Sequence, residues 1–295
     1  MSIIIKNLTK KYKNGVTALN QLNLEIPGGI FGLLGENGAG KTTLMQILTT
    51  IQRPSEGSVS MDGVLYSETS YEKIQKKIGY LPQEIDLYPN LTVEECLEYM
   101  GALAGIPKAV CKKRIDEYLE KTGLCGHRKK KMRQLSGGMK RRAALVQAML
   151  SEPDFLIADE PAAGLDPQER IRIRNLLADF SKNRTVLFST HVVEDLAAVC
   201  SRLAVMKKGR ILYSGSTRQL LEAAEGHVWS CIAADERTAG EMEERYLVSF
   251  RQYMGDGGIK MKIVSGEKPV GDCVACEVTL EDAYVFAVNF FEKCG

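Results

Sequence analysis

The sequence predicts an α/β fold with a largely parallel sheet, a helical subdomain inserted into it and a small C-terminal α+β appendage. Strand patterns alternate with helical patterns over most of the chain, which is typical of parallel sheets. The stretch from about 88 to 150 is nearly all helical and interrupts this alternation. After Gly226 the pattern changes to acidic segments and short strands, ending in a helical pattern over 280–293. We therefore expect one domain at 1–224 and an accessory segment at 225–295.

The predicted elements can be followed along the chain in order. Short apolar runs predict strands at 3–8, 22–26, 30–34, 57–61, 77–81, 155–159, 184–189, 202–206 and 211–215. Helical patterns are found at 42–50, 92–104, 109–122, 138–150, 168–182 and 192–200. In the accessory segment, the runs YLVSF and KMKIV predict two further strands.

Charge is unevenly distributed along the chain. The formal net charge is +2, yet residues 225–295 hold 7 Lys/Arg and 13 Asp/Glu, a balance of −6. The remaining residues carry +8, which does not indicate a strongly basic nucleic-acid binder. No uncharged apolar run approaches the roughly 18 residues that indicate a membrane span. The N-terminal stretch MSIIIKNLTKKY has charges inside any export-signal core, so we expect a cytosolic location.

The eight cysteines are expected to be reduced thiols in that compartment. Cys273 and Cys276 form one close pair without a second pair elsewhere. The simplest interpretation is two cysteines on a strand or loop, and a metal or redox role is the alternative.

A glycine-rich stretch, GENGAGKTT at 35–43, has the spacing of a phosphate-binding loop, with Gly35, Gly40, Lys41 and Thr42 at the fixed positions. A predicted strand precedes it and a helical pattern follows it, which is the context that this motif requires. Glycines let backbone N–H groups close around phosphate oxygens, and the helix N-terminus adds favourable partial charge. We expect Lys41 to reach the β- and γ-phosphates and Thr42 to bind Mg²⁺.

Two adjacent acids follow a predicted buried strand in FLIADEP at 155–161. Asp159 ends this strand, at the sheet edge where ligands of open α/β sheets bind. It is suited to hold Mg²⁺, directly or through water. Glu160 is suited to orient the attacking water and accept its proton.

A second glycine-rich stretch, LSGGM at 135–139, precedes a helical pattern. Ser136 stands where a helix cap is expected. Two glycines at a helix N-terminus can form another anion site. From the local pattern alone, an ordinary helix cap explains the stretch equally well.

Taken together, these motifs resemble the ATP-binding subunits of ABC transporters. The matching elements run from Tyr12 to about Gly215, roughly three quarters of the chain. The resemblance implies a P-loop NTPase (RecA-like) core with an antiparallel β subdomain and an inserted helical subdomain. It also implies a head-to-tail dimer, expected to be a homodimer, in which LSGGM of one subunit closes over the γ-phosphate held by the other. LSGGM and the phosphate-binding loop then act on different ATP molecules.

Further residues take roles from the resemblance, position by position. Tyr12 matches the aromatic that stacks on adenine, and Gln83 in YLPQE matches the Q-loop glutamine near Mg²⁺ and the attacking water. Asp166 in AGLD matches the D-loop, and His191 the switch histidine at the γ-phosphate. The predicted catalytic residues are Lys41, Glu160 and His191, and the predicted metal contacts are Thr42, Gln83 and Asp159. The predicted contacts to ATP are Tyr12, Gly35, Glu36, Asn37, Gly38, Ala39, Gly40, Lys41, Thr42, Thr43, Gln83, Ser136, Gly137, Gly138 and Asp166.

One position departs from the family pattern. Met139 stands where the signature usually ends in glutamine, and methionine has no amide for hydrogen bonding. Signatures ending in methionine resemble those of exporter subunits, as does TLEDAYVF near the C-terminus. These features favour export over import.

The resemblance implies an ATPase with ATP and Mg²⁺ as cofactors, held at the inner face of the membrane by a separate permease. No nucleic-acid partner is expected. The main alternative is a soluble ABC ATPase that acts on ribosomes or DNA. Such proteins usually carry two ATPase cores or long insertions, whereas this chain has one core and a short acidic tail. A P-loop kinase is the other alternative, but it leaves LSGGM, Gln83 and His191 unexplained.

Overall fold

The computed structural model describes residues 1–255 and 257–291, and their contacts form two units. The first unit comprises Met1–Cys200 and Met206–Ile211. The second comprises Ser201–Val205 and the residues from Leu212 onward. The domain boundary expected between residues 224 and 225 remains a prediction.

The predicted elements of the first unit occur in the expected order. Its strands are β1 (Ile3–Lys11), β2 (Thr17–Ile26), β3 (Gly29–Leu34), β4 (Glu56–Met61), β5 (Val64–Leu65), β6 (Ile78–Leu81), β7 (Phe155–Asp159) and β8 (Thr185–Thr190). Its helices are α1 (Lys41–Leu48), α2 (Tyr71–Gln75), α3 (Val93–Leu103), α4 (Lys108–Lys121), α5 (Gly137–Met149), α6 (Pro167–Phe180) and α7 (Val193–Ala197). Strand β5 and helix α2 of this unit were not predicted. Strands β9 (Arg202–Lys207) and β10 (Arg210–Ser216) contribute residues to both units.

An antiparallel sheet in the order β2-β1-β4-β5 forms the first layer of this unit. Its central strand β1 alternates between buried and exposed side chains at Ile3, Ile4 and Ile5, because one face packs on the core. Ile3 pairs with Ile26 of β2 on one side and with Met61 of β4 on the other. The antiparallel β subdomain is therefore confirmed.

Parallel strands form the second layer, where β3 pairs with β8, β8 with β7, and β7 with β6. Every residue of β7 and β8 is buried, as expected for parallel strands covered on both faces. The shared register brings the ends of these strands to one edge of the sheet. That edge carries the segments that begin at residues 35, 82, 160 and 191.

Helices α3, α4 and α5 are inserted between β6 and β7, and they confirm the predicted helical insertion. Helix α3 begins after Thr92, whose hydroxyl accepts from the Glu95 amide while the Glu95 carboxylate accepts from the Thr92 amide. Helix α5 begins after Ser136, whose Oγ accepts from the Met139 amide at 3.2 Å. Together with the antiparallel and parallel sheets, these helices confirm the predicted α/β fold.

The second unit contains an antiparallel sheet of four strands, in the order β12 (Leu247–Tyr253), β13 (Ile259–Val264), β11 (Val228–Ala233) and β14 (Val274–Ala275). Its helices are α8 (Thr217–Ala224), α9 (Glu236–Arg245) and α10 (Leu280–Phe290). The final helix was predicted to reach residue 293, but residues 292 and 293 lie outside the described ones. The predicted α+β composition of this region is confirmed.

A disulfide joins Cys231 and Cys273 in the second unit, so the expectation of reduced thiols is wrong for these two residues. Strand β11 and the segment before β14 bring their Cα atoms to 4.5 Å, within the range that a disulfide spans. Cys276 is not the partner of Cys273. The sequence could not indicate this, because Cys231 lies 42 residues away.

Among the residues that the structure describes, no helix is long and apolar enough to cross a membrane.

Candidate nucleotide-binding site

A cavity of about 580 Å³ opens at the sheet edge where β3 ends. Most of the predicted phosphate-binding loop contributes to its wall. The lining residues are Val16, Thr17, Ala18, Glu36, Asn37, Gly38, Gly40, Lys41, Thr42, Thr43, Gln83, Glu160, Lys208 and Gly209.

The glycines of the loop have a geometric explanation. Gly38 and Gly40 have φ angles of 81° and 106°, in the left-handed region that side chains rarely adopt. A Cβ atom on Gly40 would lie 2.6 Å from the carbonyl oxygen of Ala18. A Cβ on Gly35 would lie 2.4 Å from the carbonyl oxygen of Met206. Only glycine fits at these two positions, which explains the spacing of the motif.

Lys41 is the first residue of α1 and is nearly fully buried. Its Nζ donates to the carbonyl oxygens of Gly35 at 2.5 Å and Glu36 at 3.1 Å. Nζ also lies 4.0 Å from Oε1 of Glu160. Burial lowers the pKa of Lys41, and the Glu160 and Asp159 carboxylates oppose that shift. The ammonium therefore donates to the loop's own carbonyls at the wall of the cavity.

Thr42 and Asp159 are brought together across 117 residues of sequence. The Thr42 hydroxyl donates to Oδ2 of Asp159 at 2.9 Å, and the Ser189 hydroxyl donates to Oδ1 at 2.6 Å. A hydroxyl and one carboxylate are oxygen donors of the kind that Mg²⁺ uses when substrate phosphates complete its shell. No described residues form a cluster of three or more His, Cys, Asp or Glu suited to a metal. The donor set thus fits Mg²⁺ shared with a phosphate better than a closed protein site.

Glu160 has a buried side chain and a left-handed backbone with φ of 49°. Such a conformation is strained for a non-glycine residue and is often found at functional sites. Its amide donates to Oγ of Ser189 at 3.1 Å, and Nδ1 of His191 lies 2.9 Å from its Oε1. The three residues predicted to be catalytic therefore lie together, with the Glu160 carboxylate between Lys41 and His191.

Tyr12 is not among the residues that line the cavity. Its hydroxyl lies 3.3 Å from Oγ1 of Thr43 and donates to Oε1 of Gln52 at 3.1 Å. Its ring is thus held beside the loop through Thr43. Stacking on adenine remains a prediction.

Five residues that the sequence did not indicate also line the cavity: Val16, Thr17, Ala18, Lys208 and Gly209. They come from the start of β2 with the residue before it, and from the turn between β9 and β10. The amide of Gly209 donates to the carbonyl of Ala39 at 2.8 Å, which explains their proximity to the loop. No local motif marks these residues, because only the tertiary fold brings them there.

The signature residues lie outside this cavity. Ser136 and Gly137 are exposed at the start of α5, and a Cβ on Gly138 would lie 2.9 Å from a methyl group of Leu165. Asp166 is the exposed cap of α6 and accepts from the Glu169 amide at 2.9 Å. The N-terminus of α5 is therefore exposed. It is accessible to a ligand other than one bound by the phosphate-binding loop of the same chain.

Gln83 lines the cavity, and its carbonyl oxygen accepts from Nη2 of Arg141 at 2.9 Å. The other Nη of Arg141 donates to the carbonyl oxygen of Glu160. No local motif marks Arg141, because it lies in an ordinary helical pattern after the signature.

Sequence comparison identifies the family. The sequence profile described as "ABC transporter" matches residues 19–163. The chain is 33% identical over 299 residues to the uncharacterized ABC transporter ATP-binding protein YxlF of Bacillus subtilis (strain 168), covering 97% of this chain and 99% of that protein. It is 37% identical to the methionine import ATP-binding protein MetN 3 of Shouchella clausii, covering 72% of this chain and 65% of that protein. It is 39% identical to the Nod factor export ATP-binding protein I of Burkholderia pseudomallei, covering 68% and 66%, respectively.

Solved structures agree with this assignment. One neighbour is a dimer of the ATP-binding cassette MJ0796 in a post-hydrolysis state, bound to ADP and Pi. The TM-score is 0.67 at 29% identity, and the alignment covers 72% of this chain and 98% of the cassette. The predicted resemblance is confirmed: this chain belongs to the ATP-binding proteins of the ABC transporter family.

Proposed function

We propose that this chain hydrolyses ATP and thereby powers the export of a substrate through a separate membrane permease. The main support is the position of the Glu160 carboxylate, at the cavity of the phosphate-binding loop and next to His191 and Lys41. A carboxylate at that point can accept a proton from a water that attacks a bound γ-phosphate.

The other site residues bind the phosphates and Mg²⁺ or position the Glu160 carboxylate. Amides of the loop and Lys41 bind the phosphates, with Lys41 turning away from the Gly35 carbonyl to do so. His191 hydrogen-bonds to the Glu160 carboxylate and contacts the γ-phosphate. Thr42 and Asp159, with Gln83, would hold Mg²⁺, which neutralises charge on the phosphate oxygens when it is bound. Catalysis then consists mainly of positioning and charge stabilisation.

The nucleotide is proposed to be enclosed by two subunits. Ser136, Gly137 and Gly138 lie outside the cavity of their own chain, and the first two are exposed. In a head-to-tail homodimer they would donate to the γ-phosphate held by the partner, and Asp166 would lie at the same interface. The related cassette MJ0796 is a dimer with ADP and Pi bound, which supports this arrangement.

The proposed direction of transport is export. Met139 in the signature and the Nod factor export relative favour export, whereas the MetN 3 relative is named for import. A soluble ABC ATPase acting on ribosomes or DNA is not favoured, because these relatives are named as transport proteins.

The test is to purify the tagged full chain from detergent-solubilised membranes of its own organism. We expect an integral membrane protein to copurify and to stimulate hydrolysis of Mg-ATP. Recovery with ribosomes or DNA instead, and without a membrane protein, would contradict the proposal. ATP-driven uptake of substrate into inside-out vesicles would then establish export.

A further inference from the structure

Arg141 connects two segments of the active-site edge. It lies on α5, five residues after Ser136, and its side chain is half-buried. One Nη donates to the carbonyl oxygen of Glu160, and the other donates to the carbonyl oxygen of Gln83 at 2.9 Å. These two carbonyls belong to segments that follow the neighbouring strands β7 and β6. The planar guanidinium can serve both acceptors at once, which a single-point donor cannot do equally well.

The Glu160 peptide needs such support because its backbone is left-handed. This conformation persists only where the surrounding structure holds it. On the amide side, Ser189 accepts through Oγ at 3.1 Å. On the carbonyl side, the donors are Arg141 and the amide of Ala163 at 3.1 Å. Among the side chains that the structure describes, Arg141 alone donates to this carbonyl.

The charge of Arg141 suits this role. Burial lowers its pKa, while the Glu160 and Asp159 carboxylates oppose that shift. An arginine stays protonated in proteins, so the guanidinium remains a donor.

We propose that Arg141 is a positioning residue for ATP hydrolysis, fixing the Glu160 peptide and the Gln83 segment relative to α5. The inference rests on the proposed function. It adds a link within one chain, from the helix that begins at the signature to the residues that act on the attacking water. Arg141 itself does not contact the nucleotide in this proposal.

The test measures kcat and KM for Mg-ATP in the full chain with Arg141→Met and Arg141→Gln. Both variants lack the guanidinium group that donates to two acceptors. Arg141→Gln keeps a polar side chain, in case Arg141→Met is unstable. We expect kcat to fall by about 10²-fold, as a displacement near 1 Å commonly costs, with KM unchanged within twofold. Lys112→Met, which removes an exposed cation from the same helical insertion, is the control and should match the wild type.

Two results would overturn the inference. The first is a folded variant, judged by its melting temperature, whose kcat stays within twofold of the wild type. The second is a rise in KM as large as the fall in kcat, because that would assign Arg141 to the support of the whole cavity. A wild-type chain that hydrolyses no ATP would instead contradict the proposed function, so the two failures are distinguishable.

Discussion

Glu160 shows how much a single residue depends on its surroundings. Its carboxylate is 2.9 Å from His191 and 4.0 Å from Lys41, and its backbone has a conformation that glycine would adopt more easily. A glycine there would have no carboxylate. The strain is therefore consistent with a residue kept for its chemistry, since the fold alone would favour glycine.

Glu160→Gln keeps the size of the side chain but removes the base. We expect hydrolysis to fall by about 10²–10⁴-fold, the range for losing a general base. ATP binding should survive because the loop amides and Lys41 are unchanged. Size-exclusion chromatography with Mg-ATP should then detect a stable dimer with uncleaved ATP. Near wild-type hydrolysis would show that Glu160 is not the base.

The neighbouring variant Asp159→Asn is the matched comparison. It removes a carboxylate that accepts from Thr42 and Ser189, without removing the base. We expect weaker Mg²⁺-dependent ATP binding as well as slower turnover. If Mg²⁺ increased ATP affinity by the same factor in this variant as in the wild type, Asp159 would not belong to the metal site.

Tyr12 offers a test of base stacking. Tyr12→Ala should weaken ATP binding by about 1–3 kcal/mol, the range for one base stacked on an aromatic ring. Tyr12→Phe is the control, because it keeps the ring but loses the hydroxyl that contacts Thr43 and Gln52. We expect equilibrium binding of a fluorescent ATP analogue to be nearly normal in the second variant. Equal weakening of ATP binding in both variants would assign the effect to the hydrogen bonds of the Tyr12 hydroxyl.

At the scale of elements, both predicted anion sites lie at helix N-termini. Helix α1 begins at Lys41 and faces the cavity, whereas α5 begins at Gly137 and is open to solvent. Their caps differ accordingly: α1 is preceded by a left-handed glycine, and α5 by a serine whose Oγ accepts from Met139. The first helix end shapes a loop, and the second is exposed, as the proposed contact with a partner subunit requires.

Ser136→Arg tests this division of roles. We expect the isolated chain to bind ATP almost normally, because Lys41 and its loop are untouched. Hydrolysis should collapse, because a bulky cation blocks closure on the partner's phosphate. A mixture with Lys41→Ala should regain part of the activity, since the mixed dimer contains one intact site. Loss of ATP binding in Ser136→Arg alone would mean that the signature serves its own chain.

The sequence patterns did not predict α2, α8, α9, β5, β11 and β14, several of which are short or weakly patterned. Strands β5 and β14 have two residues each, too few for a periodic pattern. Helix α9 buries only Ala239 fully, so its ten residues lack the apolar stripe by which a helix is identified. The long buried strands β7 and β8 were predicted within one residue at each end.

On the scale of the whole molecule, the two units are stabilised differently. The first has an extensive core of two sheets and helices, whereas the second has a smaller sheet linked by Cys231–Cys273. A crosslink over 42 residues restricts the unfolded chain and so favours the folded state.

Replacing Cys231 and Cys273 together by alanine should therefore destabilise the second unit by about 2–4 kcal/mol. ATP affinity should be unchanged, because every residue lining the cavity belongs to the first unit. Calorimetry and nucleotide titration measure the two effects. Cys276→Ala, which leaves the disulfide intact, is the control. Equal stability of both variants would contradict a stabilising disulfide.

The sequence by itself determined the local chemistry of this protein. The phosphate-binding loop, the acids after β7 and the signature are each encoded within a few consecutive residues, because turns, caps and strand ends depend on local backbone preferences. Tertiary structure decided the rest. The contact of Thr42 with Asp159, the bridge from Arg141 to Glu160 and Gln83, and the disulfide each join distant segments. They depend on which strands are neighbours in the sheets and on how the helices pack against them, which no local pattern specifies.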